Sequence, residues 1–347
     1  MRAGRSTVSG PVRLRAVSRA LELLHLAARR ESTFVEYSGH LLLSFFLIGT
    51  TSRNAAIARR SLEMGRERAR HWQRRWVRTR RNLNRDNVLQ EVLASYAAAQ
   101  MDVEHELIRR ELLHVVAKCS VRELLYFDPG LEGVPDDVPE DCPCGRVNER
   151  GLGKCGRCGN LVRPRSRYEL WYYALTNAYF CEQHKIPIGV QFVDVLRQLP
   201  RLKPYPAPGT RHYYDCIYAV THTVYTLNGY GRSRLSPRRL PEEFSFLKAS
   251  MEWALDQGEP DTIGEIIDSL LAFGVSGSHP LVVKGRRFLL DTQRDDGGWG
   301  DESGDDYGYF HTLWTAIDGL RDYNWRKKGV IGRRIQRLLR SGVLNCS

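Results

Sequence analysis

No apolar run in this chain approaches the length of a bilayer crossing: the longest, Leu41 to Ile48, is broken by Ser44, whereas a spanning helix needs about 20 apolar residues. The Arg-rich start has no apolar core followed by a small-residue cleavage site, so no secretory leader is read there. A cytoplasmic protein without membrane insertion is the expectation. Sustained period-two alternation of β-branched residues is also missing, which argues against a sheet-based fold. There is no phosphate-cradling glycine loop, no Gly-x-Ser-x-Gly elbow and no His-Glu-x-x-His pair. Three common hydrolase signatures are thereby excluded.

Cysteine is scarce outside one short stretch. Eight cysteines in 347 residues cannot staple a fold of this size, and four of them lie between Cys142 and Cys158. The pattern Cys142-x-Cys144 and Cys155-x-x-Cys158, with Gly145, Gly156 and Gly159 beside the sulfurs, is that of a zinc knuckle. Four thiolates complete a tetrahedral zinc site with no open position. A structural zinc ordering an insertion at 129–165 is therefore expected. Cys119, Cys181 and Cys346 stand alone and read as packing or surface residues.

What is abundant is charge on a globular background: 42% hydrophobic and 27% charged residues belong to a folded chain rather than a disordered one. The net charge of +12 is uneven, since residues 1–120 hold 22 basic and 11 acidic side chains and residues 121–347 hold 30 and 29. Between Arg53 and Arg85, twelve arginines face only Glu63 and Glu67. A helix there would neutralise phosphates, with Trp72 and Trp76 at i and i+4 stacking on bases, or would pack on an acidic partner. This is the basis of a second functional reading, a helical-repeat protein that binds nucleic acid or an acidic partner through the knuckle and the Arg-rich helix.

Hydrophobic spacing is helical almost throughout, as in Ile263, Ile266, Ile267, Leu270 and Leu271. About ten to twelve helices of roughly 11–18 residues are expected in an all-α protein. Proline and glycine punctuate the connections, for example Pro200 to Pro208 and Gly274 to Pro280. The word Tyr173-Ala174-Leu175-Thr176-Asn177 recurs 45 positions later as Tyr218-Ala219-Val220-Thr221-His222. His222-Thr223-Val224-Tyr225-Thr226 recurs 89 positions on, nearly twice that period, as His311-Thr312-Leu313-Trp314-Thr315. Units of about 45 residues with two helices each are stacked hairpins, run as a solenoid or closed into a ring. The chain divides into an N-terminal helical region, 1–128, the knuckle insertion, 129–165, and a hairpin region, 166–347, continuous with the first.

Lys284-Gly285-Arg286-Arg287-Phe288-Leu289, then Gln293 and Gly297-Gly298-Trp299, resembles the QW repeat of triterpene cyclases, with every fixed position present. Tyr309-Phe310-His311-Thr312 followed by Gly319-Leu320 resembles the segment that supplies a zinc-binding histidine in protein prenyltransferase β subunits. The resemblance covers 165–345 and implies the α/α toroid, a double ring of helices around a cavity. It also implies that Gln293 caps a helix end while Trp299 packs against it. The parent activities do not transfer: Asp215 and Cys216 are adjacent instead of forming Asp-x-Cys, and neither Asp-x-Asp-Asp nor Asp-Asp-x-x-Asp occurs.

In such a ring Asn177, His222, the Glu265/Asp268 pair and His311 would occupy equivalent places on successive inner helices and converge. Asp215, Tyr218 and His222 share one helix face, and Asp261, Glu265 and Asp268 form an acidic stripe on a helix otherwise rich in Ile and Leu. Imidazoles and carboxylates together suit Zn, Fe or Mn. The expectation is a metal-dependent enzyme of bacterial specialised metabolism. Asp215, His222, Glu265, Asp268 and His311 would be its catalytic groups, and His222, His311, Asp215 and Glu265 would hold a second, cavity metal. Its substrate would be a small, largely apolar molecule, and the chemistry hydrolytic, oxidative or of the lyase or cyclase kind.

Overall fold

A computed structural model describes residues 8–79, 83–85, 87–138, 154–159, 165–300, 306–325, 333–341 and 344. Among them the chain is all-α but for one short ladder. The first helices are α1 (Gly10–Arg29), α2 (Glu31–Thr51), α3 (Ala55–Thr79), α4 (Val88–Gln100), α5 (Glu106–Val116) and α6 (Val121–Leu125). Strands β1 (Asp137–Val138) and β2 (Arg165–Ser166) pair antiparallel at the two ends of the cysteine-bearing insertion. Then follow α7 (Arg167–Gln183), α8 (Phe192–Leu196), α9 (Tyr213–Asn228) and α10 (Pro241–Gln257). The last four are α11 (Pro260–Ala272), α12 (Pro280–Asp291), α13 (Asp306–Leu320) and α14 (Arg333–Arg340).

Local signals set these boundaries. Proline occupies the first turn of α1, α10, α11 and α12, where its missing N–H costs nothing. Gly229 and Gly258 close α9 and α10 at φ of 68° and 71°, a conformation that suits glycine. Helices with apolar residues all round are the enclosed ones. In α11 every residue from Thr262 to Ala272 is buried, and α2 buries the whole Leu41–Ile48 run.

Packing follows the chain. α2 touches α4, α4 touches α7, α7 touches α9, α9 touches α11, α11 touches α13, and α13 returns to α2. The intervening helices lie against these: α1 on α13 and α2, α3 on α2 and α4, α10 on α9 and α11, α12 on α11 and α13. One cluster of buried apolar side chains extends from Ala16 to Leu344, so residues 1–128 and 166–347 share a core. Their seam is polar as well: Arg13 donates to the Leu320 carbonyl at 2.6 Å, and the backbone N–H of Arg53 donates to the Asp322 carbonyl at 2.8 Å.

The Gln293 and Trp299 pair differs from the expectation. It is Trp299 that caps, its indole N–H donating to the Leu289 carbonyl at 2.7 Å near the end of α12. Gln293 reaches instead to the Ala16 carbonyl in mid-α1 (3.0 Å) and to the Gly297 carbonyl (2.8 Å). The reason is donor supply. A buried indole has one N–H that must be satisfied, and the nearest orphan acceptor is the helix end, which leaves the amide to tie the loop to α1.

Candidate functional site

α11 and α13 approach backbone to backbone. A Cβ on Gly264 would lie 2.4 Å from the Thr315 carbonyl oxygen, and one on Gly319 would lie 3.0 Å from Gly264 Cα. Only glycine permits this crossing. It brings Asp261 and Glu265, which share a face of α11 at i and i+4, directly onto His311 of α13. Asp261, Glu265 and His311 each offer a ligand atom, and these atoms lie within 4.8 Å of one another.

The bonding is asymmetric. His311 Nδ1 meets Asp261 Oδ1 at 3.0 Å, and the Tyr218 hydroxyl donates to the other Asp261 oxygen. A carboxylate only accepts, so Nδ1 carries a proton. His311 Nε2 faces Glu265 Oε1 at 3.9 Å without a hydrogen bond between them. The second Glu265 oxygen accepts from the Thr221 hydroxyl, and the Glu265 backbone carbonyl accepts from Tyr225 at 3.2 Å. His222 Nδ1 donates to the Tyr218 carbonyl at 2.8 Å, 4.0 Å from Glu265 Oε2. Tyr307 stacks on the His311 ring at 5.1 Å, and Tyr172 lies 4.9 Å from the His222 ring.

Electrostatics follow from this geometry. Burial lowers the His311 pKa, but the Asp261 charge and hydrogen bond, with Glu265 behind them, outweigh it and hold the imidazole up at about 9. Burial opposes ionisation of Asp261 too, yet His311 and the Tyr218 hydroxyl keep it below the usual carboxylate range. Glu265 has no such relief: burial and the neighbouring Asp261 charge push it up to about 8. Burial, with His311 nearby, drops His222 to about 4 and His40 to about 3. Among protein groups alone, at neutral pH, one ion pair, Asp261 with His311, thus stands beside a protonated Glu265 and neutral His222 and His40.

Asp261, His222 and His311 line the floor of a cleft of about 420 Å³ walled by Tyr172, Tyr214, Tyr218, Tyr307 and Tyr309. Below it lies a chamber of about 60 Å³ bordered by His40, His222, Glu265, Asp268, Asp318 and Arg321. A larger cleft of about 490 Å³ runs along α1 past Arg13 and Asp322. Arg13 there is already paired to Asp322 at 3.0 Å, and the cleft holds no histidine. The smaller, aromatic one has the chemistry.

The sequence-predicted residues divide. His222, Glu265 and His311 come together as described. Asp215 borders the cleft but pairs with His212 at 3.3 Å and makes no contact with the cluster. Its helix register turns it toward the rim, which removes it from the expected ligand set. Asp268 lies two turns of α11 beyond Asp261, in the deeper chamber with Asp318 and Arg321. Arg321 donates to Asp318 at 2.6 Å and to the Thr51 hydroxyl at 2.8 Å, while Asp268 Oδ1 is buried without a hydrogen-bond partner. Asn177 turns its amide back to the Tyr173 carbonyl at 2.9 Å, and α7 presents Tyr172 and Thr176 to the cavity instead. The Cys216 thiol is fully buried and its pKa is raised by burial.

Two further expectations meet different fates. Trp72 and Trp76 do not face solvent: both are buried, and their indole N–H groups donate to Glu91 (2.8 Å) and Glu111 (3.0 Å), so neither is available to stack on a base. Several α3 arginines are spent within the chain, Arg60 on Glu22 at 3.0 Å and Arg75 on Glu31 at 3.3 Å, with Arg68 over the Phe34 ring at 4.2 Å. Arg70, Arg74 and Arg78 remain exposed. Of the knuckle, Cys142 and Cys144 lie outside the described residues. Cys155 and Cys158 sit on a turn in which the Arg157 N–H points at Cys155 Sγ from 3.4 Å.

Sequence reasoning saw Asp261 as one member of an acidic stripe and gave it no role, although it is the partner of His311. It missed His40, which shares no repeated word with the other histidines; its Nε2 lies 2.8 Å from Gln90 Nε2. Comparison with protein-family models, with curated proteins and with solved structures found no match to this chain.

Proposed function

We propose that this protein is an enzyme acting on a small, largely apolar molecule held in the tyrosine-walled cleft, with Asp261, Glu265 and His311 at the reacting end. The observation that carries the reading is the juxtaposition itself: an aromatic wall able to bury an apolar body, ending on polar groups that are enclosed yet border the cavity. Such residues are retained against their burial cost where function uses them. The return of α13 to α2 supports the α/α toroid as the architecture, with α2, α4, α7, α9, α11 and α13 as its inner ring. The reaction class is hydrolytic, oxidative or of the lyase or cyclase kind, in line with the absence of both terpene-ionising acidic motifs.

For the insertion we propose a structural zinc on Cys142, Cys144, Cys155 and Cys158. The N–H aimed at Cys155 supports it. Replacing Cys155 by Ser should release one zinc per chain and lower the melting temperature, as measured by elemental analysis and calorimetry. The alternative, a scaffold that engages nucleic acid or an acidic partner, has exposed arginines such as Arg70, Arg74 and Arg78 in its favour but loses the two tryptophans, which point inward.

The cleft is tested with small alicyclic and aromatic alcohols as probes, followed by thermal shift. Wild type should be stabilised in proportion to probe concentration. Thr312→Trp, which fills the cleft from a residue whose hydroxyl bonds only its own helix at 2.8 Å, should abolish the shift. Probes that leave wild type unshifted, or that shift the Trp variant equally, would overturn the reading.

A further inference from the structure

Glu265 is the least explained side chain of the cluster. It is 1% exposed on a helix buried on all sides, and no lysine or arginine pairs with it among the described residues. An acid so placed needs a cation or a proton. One of its oxygens is served by Thr221. The other, Oε1, stands 3.9 Å from His311 Nε2. That separation is too long for a hydrogen bond. It is short enough for one shared ion, since two donors each about 2.0–2.2 Å from a metal sit at most about 4.3 Å apart.

His311 is prepared for that task. A metal-bound imidazole characteristically donates its other N–H to a carboxylate or a backbone carbonyl, which fixes the tautomer and aims the bare nitrogen. His311 does so through Nδ1 to Asp261. Its Nε2 is left without a hydrogen-bond partner among the described residues, and the residue is only 8% exposed. Asp261 has both oxygens engaged, by His311 and by the Tyr218 hydroxyl. It orients a ligand and does not act as one.

We propose that His311 Nε2 and Glu265 Oε1 bind one divalent transition-metal ion of the Fe, Mn or Zn class, with Asp261 as the positioning carboxylate behind His311. One imidazole and one carboxylate leave coordination positions open toward the cleft, where water or a substrate heteroatom completes the shell. This deepens the cavity reading and depends on it only for what the ion does; the site itself is independent of any substrate.

The test is titration of Mn(II) into the full chain, chelator-treated and dialysed, read by loss of the free-ion electron paramagnetic resonance signal. Mn(II) prefers imidazole and oxygen to thiolate, so Cys155 and Cys158 do not obscure the result. Wild type should bind one equivalent. Glu265→Gln, which keeps the shape and removes the charge, should weaken binding at least about 100-fold while melting as a folded protein, and Asp261→Asn should weaken it about 10- to 100-fold. A wild type that leaves Mn(II) free, or a folded Glu265→Gln variant that binds like wild type, would overturn the metal site. Probe binding in the cleft with no Mn(II) bound would overturn it alone and leave the cavity reading standing.

Discussion

Two buried acidic clusters adjoin along α11 and α13, with Asp261 two turns from Asp268, and they are solved differently. The lower one, Asp268 and Asp318, contains its own permanent cation: Arg321 bonds Asp318 at 2.6 Å, reaches Thr51 and Ser52 across the seam, and lies 3.9 Å over the Tyr323 ring. The upper one, Asp261 and Glu265, has only imidazoles. A cluster that carries an arginine is held shut and fastens α13 to α2; a cluster without one, open to a cleft, is where an outside group can enter. The contrast separates structure from chemistry on one helix.

The comparison is tested most severely by Arg321→Met. It strands Asp318 and Asp268 with no cation and opens the α13 to α2 seam, so a loss of about 3–5 kcal/mol is expected in urea unfolding. His311→Ala should cost less, about 1–2 kcal/mol, because Asp261 keeps the Tyr218 hydroxyl and borders a cleft that admits water. Reversal of that order would break the distinction. Gly264→Ala should itself cost about 1–3 kcal/mol, since the added methyl meets the Thr315 carbonyl. It should also separate Asp261 from His311, visible as a fall in the His311 pKa by NMR. A variant of normal stability with the His311 signal unmoved would show that the helix crossing does not set the site.

The smallest effect concerns Asp268, whose pKa burial and Asp318 push up to about 8. A group with a raised folded pKa contributes stability that is complete below its unfolded value, near 4, and is lost as pH rises through about 8. Asp268→Asn removes that dependence. Its melting temperature relative to wild type should therefore rise between pH 5 and pH 8.5. A difference independent of pH would mean that Asp268 is already ionised against Arg321 and that the lower cluster is tighter than described.

Much of this was legible in the sequence. Helical spacing and the proline and glycine stops marked the helices, and the 89-residue recurrence of the His-Thr words placed His222 and His311 on equivalent helices of one cavity. Other features were not legible, for identifiable reasons. Helical phase alone put Asp215 with His222, but a shared face spans the whole helix length, and depth along the axis separates the rim from the floor; Glu265 and Asp268, expected as a pair, do border one chamber. The Asp261–His311 pair depends on Gly264 lying against Thr315, a contact between residues 51 positions apart that no local pattern encodes. The Arg-rich helix looked outward-facing because arginine is counted as charge. Its stripe of Trp72, Trp76 and Arg68 packs inward, where Glu91, Glu111 and the Phe34 ring receive it.

The central claim is that the upper cluster accepts the cation that the lower one already owns. Crystals of the full chain soaked in Mn(II) and measured for anomalous scattering test it most directly. The account predicts one anomalous peak within coordination distance of His311 Nε2 and Glu265 Oε1, with Asp261 still bonded to His311 Nδ1 and no peak between Asp268 and Asp318. Anomalous density at the lower cluster alone, or none at the upper one in crystals whose cleft is open to solvent, would contradict it.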